Sequence, residues 1–296
     1  MSLSGFTRFR RKLKGQLPYV RRRIYKKNYD RLQVVETELD SVTAASSASI
    51  KTMKKGCQLT EPEVCYFVTY ANVNTLKDHV VNHVERLIDE GVSVVLIVNF
   101  DGELSSFSVE EELLNKLSAV YIRENLGFDF AAWSHCFGLA PPSASVRRAF
   151  FINDSIVGPL NSDHYSKVLN WVRQSDKPVL GLTSNPIPES HFQSYYWVLS
   201  SAVLQSPGFI KYFSGFVNYS DKQFVIDHYE VALGRRLQLL GFEFECMFEN
   251  TASLDGGTNQ TVLEWEDLLE RGFPFIKKSV VDDASQAHRV NTYICQ

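Results

Sequence analysis

"NLGFDFAAW", Asn125–Trp133, is the stretch on which the reading of this chain turns. The apolar run before it, Leu117–Ile122, has the length of a strand, and Ala131–Phe137 after it opens a helix. Gly127 lets the backbone turn where a side chain would clash. Asn125 and Asp129 therefore stand at the carboxyl end of a strand, and ligands of open α/β sheets bind in the crevice at such ends. A second run of the same kind is "AFFINDSIVGPL", Ala149–Leu160, whose strand Ala149–Ile152 ends in Asn153 and Asp154. Two strand ends, each carrying an amide and a carboxylate, suggest one polar site between them. Taken singly, each motif also fits a helix cap or turn, positions that Asn and Asp favour.

Outward from these motifs, strands alternate with helices. Val64–Tyr70 is an apolar strand. Asn74–Glu90 has helical spacing, with Leu76, Val80, Val84, Leu87 and Ile88 on one face. Val92–Asn99 is so wholly apolar that both its faces must be covered, and Val109–Leu117 is a second helix. This order predicts an α/β fold: a mostly parallel, twisted, Rossmann-like sheet flanked by helices. Further on, the pattern predicts a helix over Leu160–Ser175, a strand over Lys177–Thr183 and a loop over Ser184–Ser190. His191–Pro207 begins as a strand and finishes as a helix. Asp221–Gly241 is one long helix with Tyr229, Leu233, Leu237 and Leu240 along its inner side. Phe242–Phe248 is a strand, Glu264–Arg271 a helix and Pro274–Val281 a final extended segment.

The 296 residues are 44% hydrophobic and 22% charged, the composition of a soluble globular protein. The net charge of −3 hides an asymmetry. Residues 1–31 hold 11 Lys and Arg against the single acid Asp30, and the body is correspondingly acidic. An acidic body argues against nucleic acid as a general partner. The arm interleaves its basic residues with Phe6, Phe9, Leu13, Leu17, Tyr19, Val20, Ile24 and Tyr25, and Pro18 divides it. It reads as a basic amphipathic segment for an anionic membrane surface, with a solvated tail as the plain alternative and a nucleic-acid-binding arm as a third reading. Residues 32–56 read as a linker or short helix, and residues 57–296 as a single domain. Five cysteines, an odd number without CxxC spacing, point to a reducing compartment rather than to disulfides or zinc. No apolar run reaches membrane-spanning length and no signal peptide opens the chain, so the expectation is a cytoplasmic, peripheral protein.

GxGxxG, P-loop and HExxH motifs are absent, which sets aside dehydrogenase, kinase and zincin chemistry. What remains is a set of polar residues aimed at one crevice. Asp154, at a strand's carboxyl end, is a candidate ligand for a divalent cation, manganese or magnesium, that would neutralise a diphosphate. Glu230, one turn before Leu233 on an apolar helix face, is a candidate general base. Arg235 and Arg236 are too poorly spaced along a helix to pair with it. His191, Gln193, Ser194 and Tyr195 form a polar–aromatic entry and are candidate substrate-binding residues. Tyr195, Tyr196 and Trp197 are candidates for stacking on a sugar, with core packing as the alternative. Together these are the parts needed to transfer a sugar from a nucleotide donor.

The arrangement resembles the glycosyltransferase-A fold. "NLGFDFAAW" looks like that fold's "NxGxxxaxN" stretch, which implies that Asn125, Gly127 and Asp129 help hold the nucleotide. The strand end "FINDS" falls where the fold has its metal-binding Asp-x-Asp signature, leaving Asn153, Asp154 and Ser155. "YEVALGRRLQLLGF" falls on the "EDxDLxxRLxxxGY" helix, which implies Glu230 as base and Arg236 as the arginine. More closely, the chain is similar to the rhamnan synthesis protein F family over roughly residues 60–250. The elements carrying this are "NxGxD" at Asn125–Asp129, "NDS…GP" at Asn153–Pro159 and "HxQSY" at His191–Tyr195. The resemblance implies an inverting hexosyl- or rhamnosyltransferase of bacterial lipopolysaccharide O-antigen or related polysaccharide. Its donor would be a UDP- or dTDP-sugar, and its acceptor a lipid-linked glycan at the inner face of the cytoplasmic membrane. A non-catalytic scaffold of a polysaccharide synthase complex is the rival reading.

Overall fold

Four strands with almost no polar residue before their last positions form the centre of the molecule: β2 (Glu63–Ala71), β3 (Ser93–Phe100), β4 (Ala119–Glu124) and β5 (Arg148–Asn153), after an edge strand β1 (Ile50–Lys54). The computed structural model describes residues 48–56, 58–185, 191–250 and 259–294. The basic arm over residues 1–31 lies outside the described residues.

β2 lies parallel to β3 on one side and to β5 on the other, and β3 lies parallel to β4. The registers Ala71↔Phe100 and Phe100↔Glu124 bring the carboxyl ends of β2, β3 and β4 level, with Asn153 opposite Val68. The chain adds strands outward from β2 to β4 and then returns to place β5 on the other flank of β2. The order thus reverses between β2 and β5, and that reversal opens a crevice at the carboxyl edge.

The sheet continues through β7 (Val179–Asn185), β8 (His191–Phe192), β9 (Tyr196–Ser200) and β10 (Phe244–Phe248). Its order among the described residues is β1-β4-β3-β2-β5-β9-β7-β10, with β8 paired to β7. β9 runs antiparallel between β5 and β7, so its first residues, not its last, lie at the carboxyl edge. A separate two-stranded ribbon pairs β6 (Ile156–Val157) with β11 (Ile276–Lys277).

Alternate residues of the strands pack on opposite faces. On one face Cys65, Phe67 and Leu96 meet Val80, Val84 and Leu87 of the helix Asp78–Asp89, and Val168, Leu169 and Val172 of the helix Ser162–Gln174. On the other, Tyr66, Val95 and Phe151 meet Trp133 and Cys136 of the helix Phe128–Leu139, Phe209 and Phe213 of Pro207–Phe213, and Leu233 and Leu237. Cys65, Cys136 and Cys246 are buried thiols without a disulfide.

The structure departs from the sequence reading in four places. Ile50–Lys54, within the stretch read as a linker, pairs antiparallel with β4. It is a half-exposed edge strand without alternating burial, so it carries no periodic signal. Lys54 there donates to the last carbonyls of the helix Glu111–Lys116, Leu114 O and Asn115 O, both at 3.0 Å. The helix expected over Asp221–Gly241 runs from Lys222 to Leu239 with a π-helical turn, Ile226–Val231, in its middle. Leu240, past its end, is exposed rather than inward. Of the extended segment expected over Pro274–Val281, only Ile276–Lys277 is a strand, and Lys278–Val281 is helical.

Candidate active site at the carboxyl edge

Between their first and last residues the four central strands are almost wholly apolar, and toward their carboxyl ends come Thr69, Asn99, Arg123 and Asn153, all buried. Arg123 and Asn99 face each other across β4 and β3 and brace the "NLGFDFAAW" loop. Arg123 donates to Asn99 Oδ1 at 3.1 Å and to the loop carbonyls of Glu124 (3.1 Å) and Leu126 (2.6 Å), and also to Asn218 Oδ1. Burial lowers its pKa to about 10. Gly127 has φ +73°, and a Cβ there would lie 2.6 Å from the Asn218 backbone, so the tight turn admits only glycine without strain.

That turn starts the helix carrying Asp129 in its first turn. Asp129 Oδ2 accepts a 2.8 Å hydrogen bond from Asn153 Nδ2, so the two motifs meet as the sequence suggested. Asn153 also makes the local turn that the plain reading foresaw: its Oδ1 accepts from Ser155 N (3.1 Å) and Oγ (2.6 Å). Burial, then the neighbouring charge of Asp154, push the Asp129 pKa up to about 7, with Glu230 adding to the rise. Asn125 stands at the rim and donates to Asp101 Oδ1 at 2.9 Å, whose other oxygen takes the Tyr70 hydroxyl at 2.5 Å.

Asp154 is held from the β2 side. Its Oδ2 accepts from Thr69 Oγ1 at 2.8 Å and from Lys77 Nζ at 2.6 Å, an ion pair largely shielded from solvent. Lys77 also donates to Tyr70 O at 2.5 Å. Asp154, the carboxylate expected to hold a divalent cation, already pairs with an ammonium through Oδ2, and among the described residues no group of three or more His, Cys, Asp or Glu side chains is placed to hold a metal ion.

Glu230 lies in the π-helical turn, a departure from α-helix that occurs frequently at functional sites. Its Oε1 accepts from the backbone N–H of Ser194 at 3.1 Å, which orients the half-buried carboxylate at the start of β9. This is the role of the "HFQSY" stretch. Gln193 Oε1 accepts from Thr183 Oγ1 at 2.7 Å, Tyr195 and Thr183 share their hydroxyls at 2.5 Å, and Tyr195 O accepts from Asn153 N at 3.1 Å. His191, Gln193, Ser194 and Tyr195 are all buried. The stretch is a scaffold seating Glu230 and Asn153 rather than an exposed entry. Tyr195, Tyr196 and Trp197, the residues expected to stack on a sugar, are instead packed in the core at 1%, 0% and 0% exposure. Trp197 stacks on Phe151 of β5 at 4.3 Å between centroids.

The sequence reading missed Lys277. The β11–β6 pairing and a 2.7 Å bond from Lys278 N to Ser155 O carry it to the end of β5. Its Nζ donates to Ser155 Oγ at 3.2 Å and lies 4.4 Å from the centre of the Tyr195 ring. Burial lowers its pKa to about 8 against the opposing pull of Glu230 and Asp129. Lys77 and Thr69 were missed as well. No motif marks a lysine before a helix or a threonine inside an apolar strand.

Fold and site define an α/β protein with a cluster of carboxylates, amides and two ammonium groups at the switch point of its sheet. The rhamnan synthesis protein F profile matches residues 94–296, and the chain belongs to that family, whose work is rhamnan and polysaccharide synthesis. The matched span includes the C-terminal segment that supplies Lys277. The chain is also similar to the virulence protein VirA of Vibrio anguillarum, 25% identical over 222 residues, which is 64% of this chain and 69% of that protein. No helix of the described residues is long and apolar enough to cross a membrane.

Proposed function

We propose that this protein is a glycosyltransferase with a glycosyltransferase-A-like fold, moving a sugar from a nucleotide donor to a lipid-linked glycan in surface-polysaccharide synthesis. One observation carries the reading. Asp129, Asn153, Asp154, Glu230 and Lys277 come from four separate parts of the chain, and hydrogen bonds or charge link them at the carboxyl edge where sheets of this class bind ligands. Family membership supports the polysaccharide context.

In this reading the donor lies across the ends of β2 and β5, with Asn125 and Asp129 toward its nucleoside. Glu230, held by Ser194 N–H, takes the proton of the acceptor hydroxyl. The acceptor oxygen bonds to the anomeric carbon as the bond to the diphosphate breaks, so the nucleoside diphosphate leaves and the configuration inverts. Residues 1–31 dock the protein on the anionic inner leaflet where the acceptor lies. The test is turnover of UDP- and dTDP-sugars on a lipid-linked acceptor in anionic vesicles. Glu230→Gln is expected to keep donor affinity and lose roughly 10²–10⁴-fold in turnover, the usual share of a general base. Near-wild-type turnover in that variant removes Glu230 as base. Donor binding without any transfer or hydrolysis by the wild type favours the scaffold, and failure to sediment with the vesicles removes the docking role of residues 1–31.

A further inference from the structure

We propose that Lys77 and Lys277 form a metal-free binding site for the diphosphate of the nucleotide donor. The inference rests on the nucleotide-sugar reading above and goes beyond it by naming which groups meet the phosphates. Both ammonium groups hold the dipeptide that follows β5, Asp154–Ser155. Lys77 Nζ is 2.6 Å from Asp154 Oδ2, and Lys277 Nζ is 3.2 Å from Ser155 Oγ. They arrive from different parts of the fold, Lys77 from the connection after β2 and Lys277 from the β11–β6 ribbon. Two independent segments thus deliver positive charge to adjacent residues just past one strand end.

An ammonium carries three N–H donors. Within the described residues Lys77 directs two of them, at Tyr70 O and Asp154, and Lys277 directs one at Ser155. Donors remain on both lysines for phosphate oxygens. Each acid nearby already accepts on one oxygen: Asp154 Oδ2 from Lys77 and Thr69, Asp129 Oδ2 from Asn153, and Glu230 Oε1 from Ser194 N–H. A divalent cation at Asp154 would sit against the Lys77 ammonium and be repelled by it. Fixed positive groups at the leaving diphosphate stabilise the charge that develops as the sugar bond breaks, which is the service a metal renders elsewhere. Lys277 is rigidly placed for this by the backbone pairing of Lys277 with Ile156 and by the Tyr195 ring beneath its amine.

The experiment is calorimetric titration of the full chain with uridine, thymidine and guanosine diphosphates in EDTA, with the matching nucleosides as controls. At least one diphosphate is expected to bind without metal, and added manganese or magnesium should change its affinity by less than about threefold. Lys277→Met should weaken diphosphate binding by roughly tenfold or more, the scale of a lost hydrogen bond to a charged group, and leave nucleoside binding unchanged. Lys77→Met strips Asp154 of its counter-ion and can cost folding. The double variant Lys77→Met with Asp154→Asn removes that charge imbalance and should show a similar loss for the diphosphate alone. Diphosphate binding that appears only with a divalent cation overturns the proposal, as does wild-type affinity in both variants. A wild type that binds no diphosphate under any of these conditions removes the nucleotide-sugar reading itself, and the lysine site falls with it.

Discussion

The half of the sheet built from β2, β3, β4 and β5 and the half built from β7, β9 and β10 do different work at the crevice. In the first, the strands pair parallel in the order β4-β3-β2-β5, helices connect β2 to β3, β3 to β4 and β4 to β5, and the buried polar groups Thr69, Asn99, Arg123 and Asn153 lie toward the strands' carboxyl ends. In the second, β9 is inserted antiparallel between β5 and β7, and the two residues just before it offer backbone groups to the site, Ser194 N–H to Glu230 and Tyr195 O to Asn153 N. The first half carries Asp129, Asn153 and Asp154, and the second orients Asn153 and Glu230 through backbone groups. Three substitutions, in falling order of expected effect, bear on that division.

Trp197 sits at the join. It is fully buried, stacks on Phe151 of β5 and meets Trp133 at 5.7 Å between centroids. Trp197→Ala should destabilise the protein by about 3–5 kcal/mol, the cost of emptying a large aromatic site in a core. Chemical denaturation measures it. An unchanged midpoint together with lost donor affinity would return Trp197 to a sugar-binding role and break the division.

Gly127 lies in the connection that follows β4 of the first half. Gly127→Ala forces a side chain into left-handed backbone and against the Cα of Asn218 at 2.6 Å. The expected loss is about 2–4 kcal/mol, from the unfavourable φ together with overpacking. Since the same turn positions Asp129, donor affinity should fall with stability. A variant as stable as the wild type would mean the turn is not constrained as its geometry indicates.

These two positions also mark how far the sequence could be read. Gly127, with Asn125, Asp129, Asn153 and Asp154, was legible because local signals suffice there: an apolar run of strand length, a glycine, then polar residues at the strand's end. Glu230 was legible from its spacing to Leu233 on an apolar face, although the π-helical turn around it was not. β1 was hidden because an edge strand with both faces half-exposed has no period to detect. The burial of Tyr195, Tyr196 and Trp197 was hidden because it depends on β9 lying between two other strands, which aromatic content alone does not encode. Lys277 was hidden for the same reason in stronger form. Its place depends on a two-residue ribbon that joins segments far apart in the sequence, and an isolated lysine next to another reads as solvated surface.

The smallest effect is expected at Asp129, where the two motifs meet, and it should depend on pH. Unfolded, this carboxyl loses its proton near its ordinary value of 3.8, whereas in the folded protein burial and the charge of Asp154 hold the proton up to about 7. Between those values the native state binds more protons than the unfolded chain, so this group's contribution to stability falls as pH rises. Below about pH 4 both states are protonated and Asp129 costs nothing. Above about pH 7 both are ionised and the penalty is complete. Asp129→Asn removes the charge while keeping an oxygen able to accept from Asn153 Nδ2. The variant should therefore match the wild type near pH 4, gain on it steadily toward pH 7 and hold a constant advantage beyond. The plateau should be roughly 1–3 kcal/mol, since the carboxylate is only partly buried and solvent screens part of the penalty. Denaturation midpoints of both proteins across this range give the curve. Donor affinity should fall in the variant even as stability rises, because a site that keeps a carboxylate at such a cost is using it for a ligand. A flat stability difference across pH would mean that Asp129 ionises normally beside Asp154, and the close approach of the two strand ends would have to be given up.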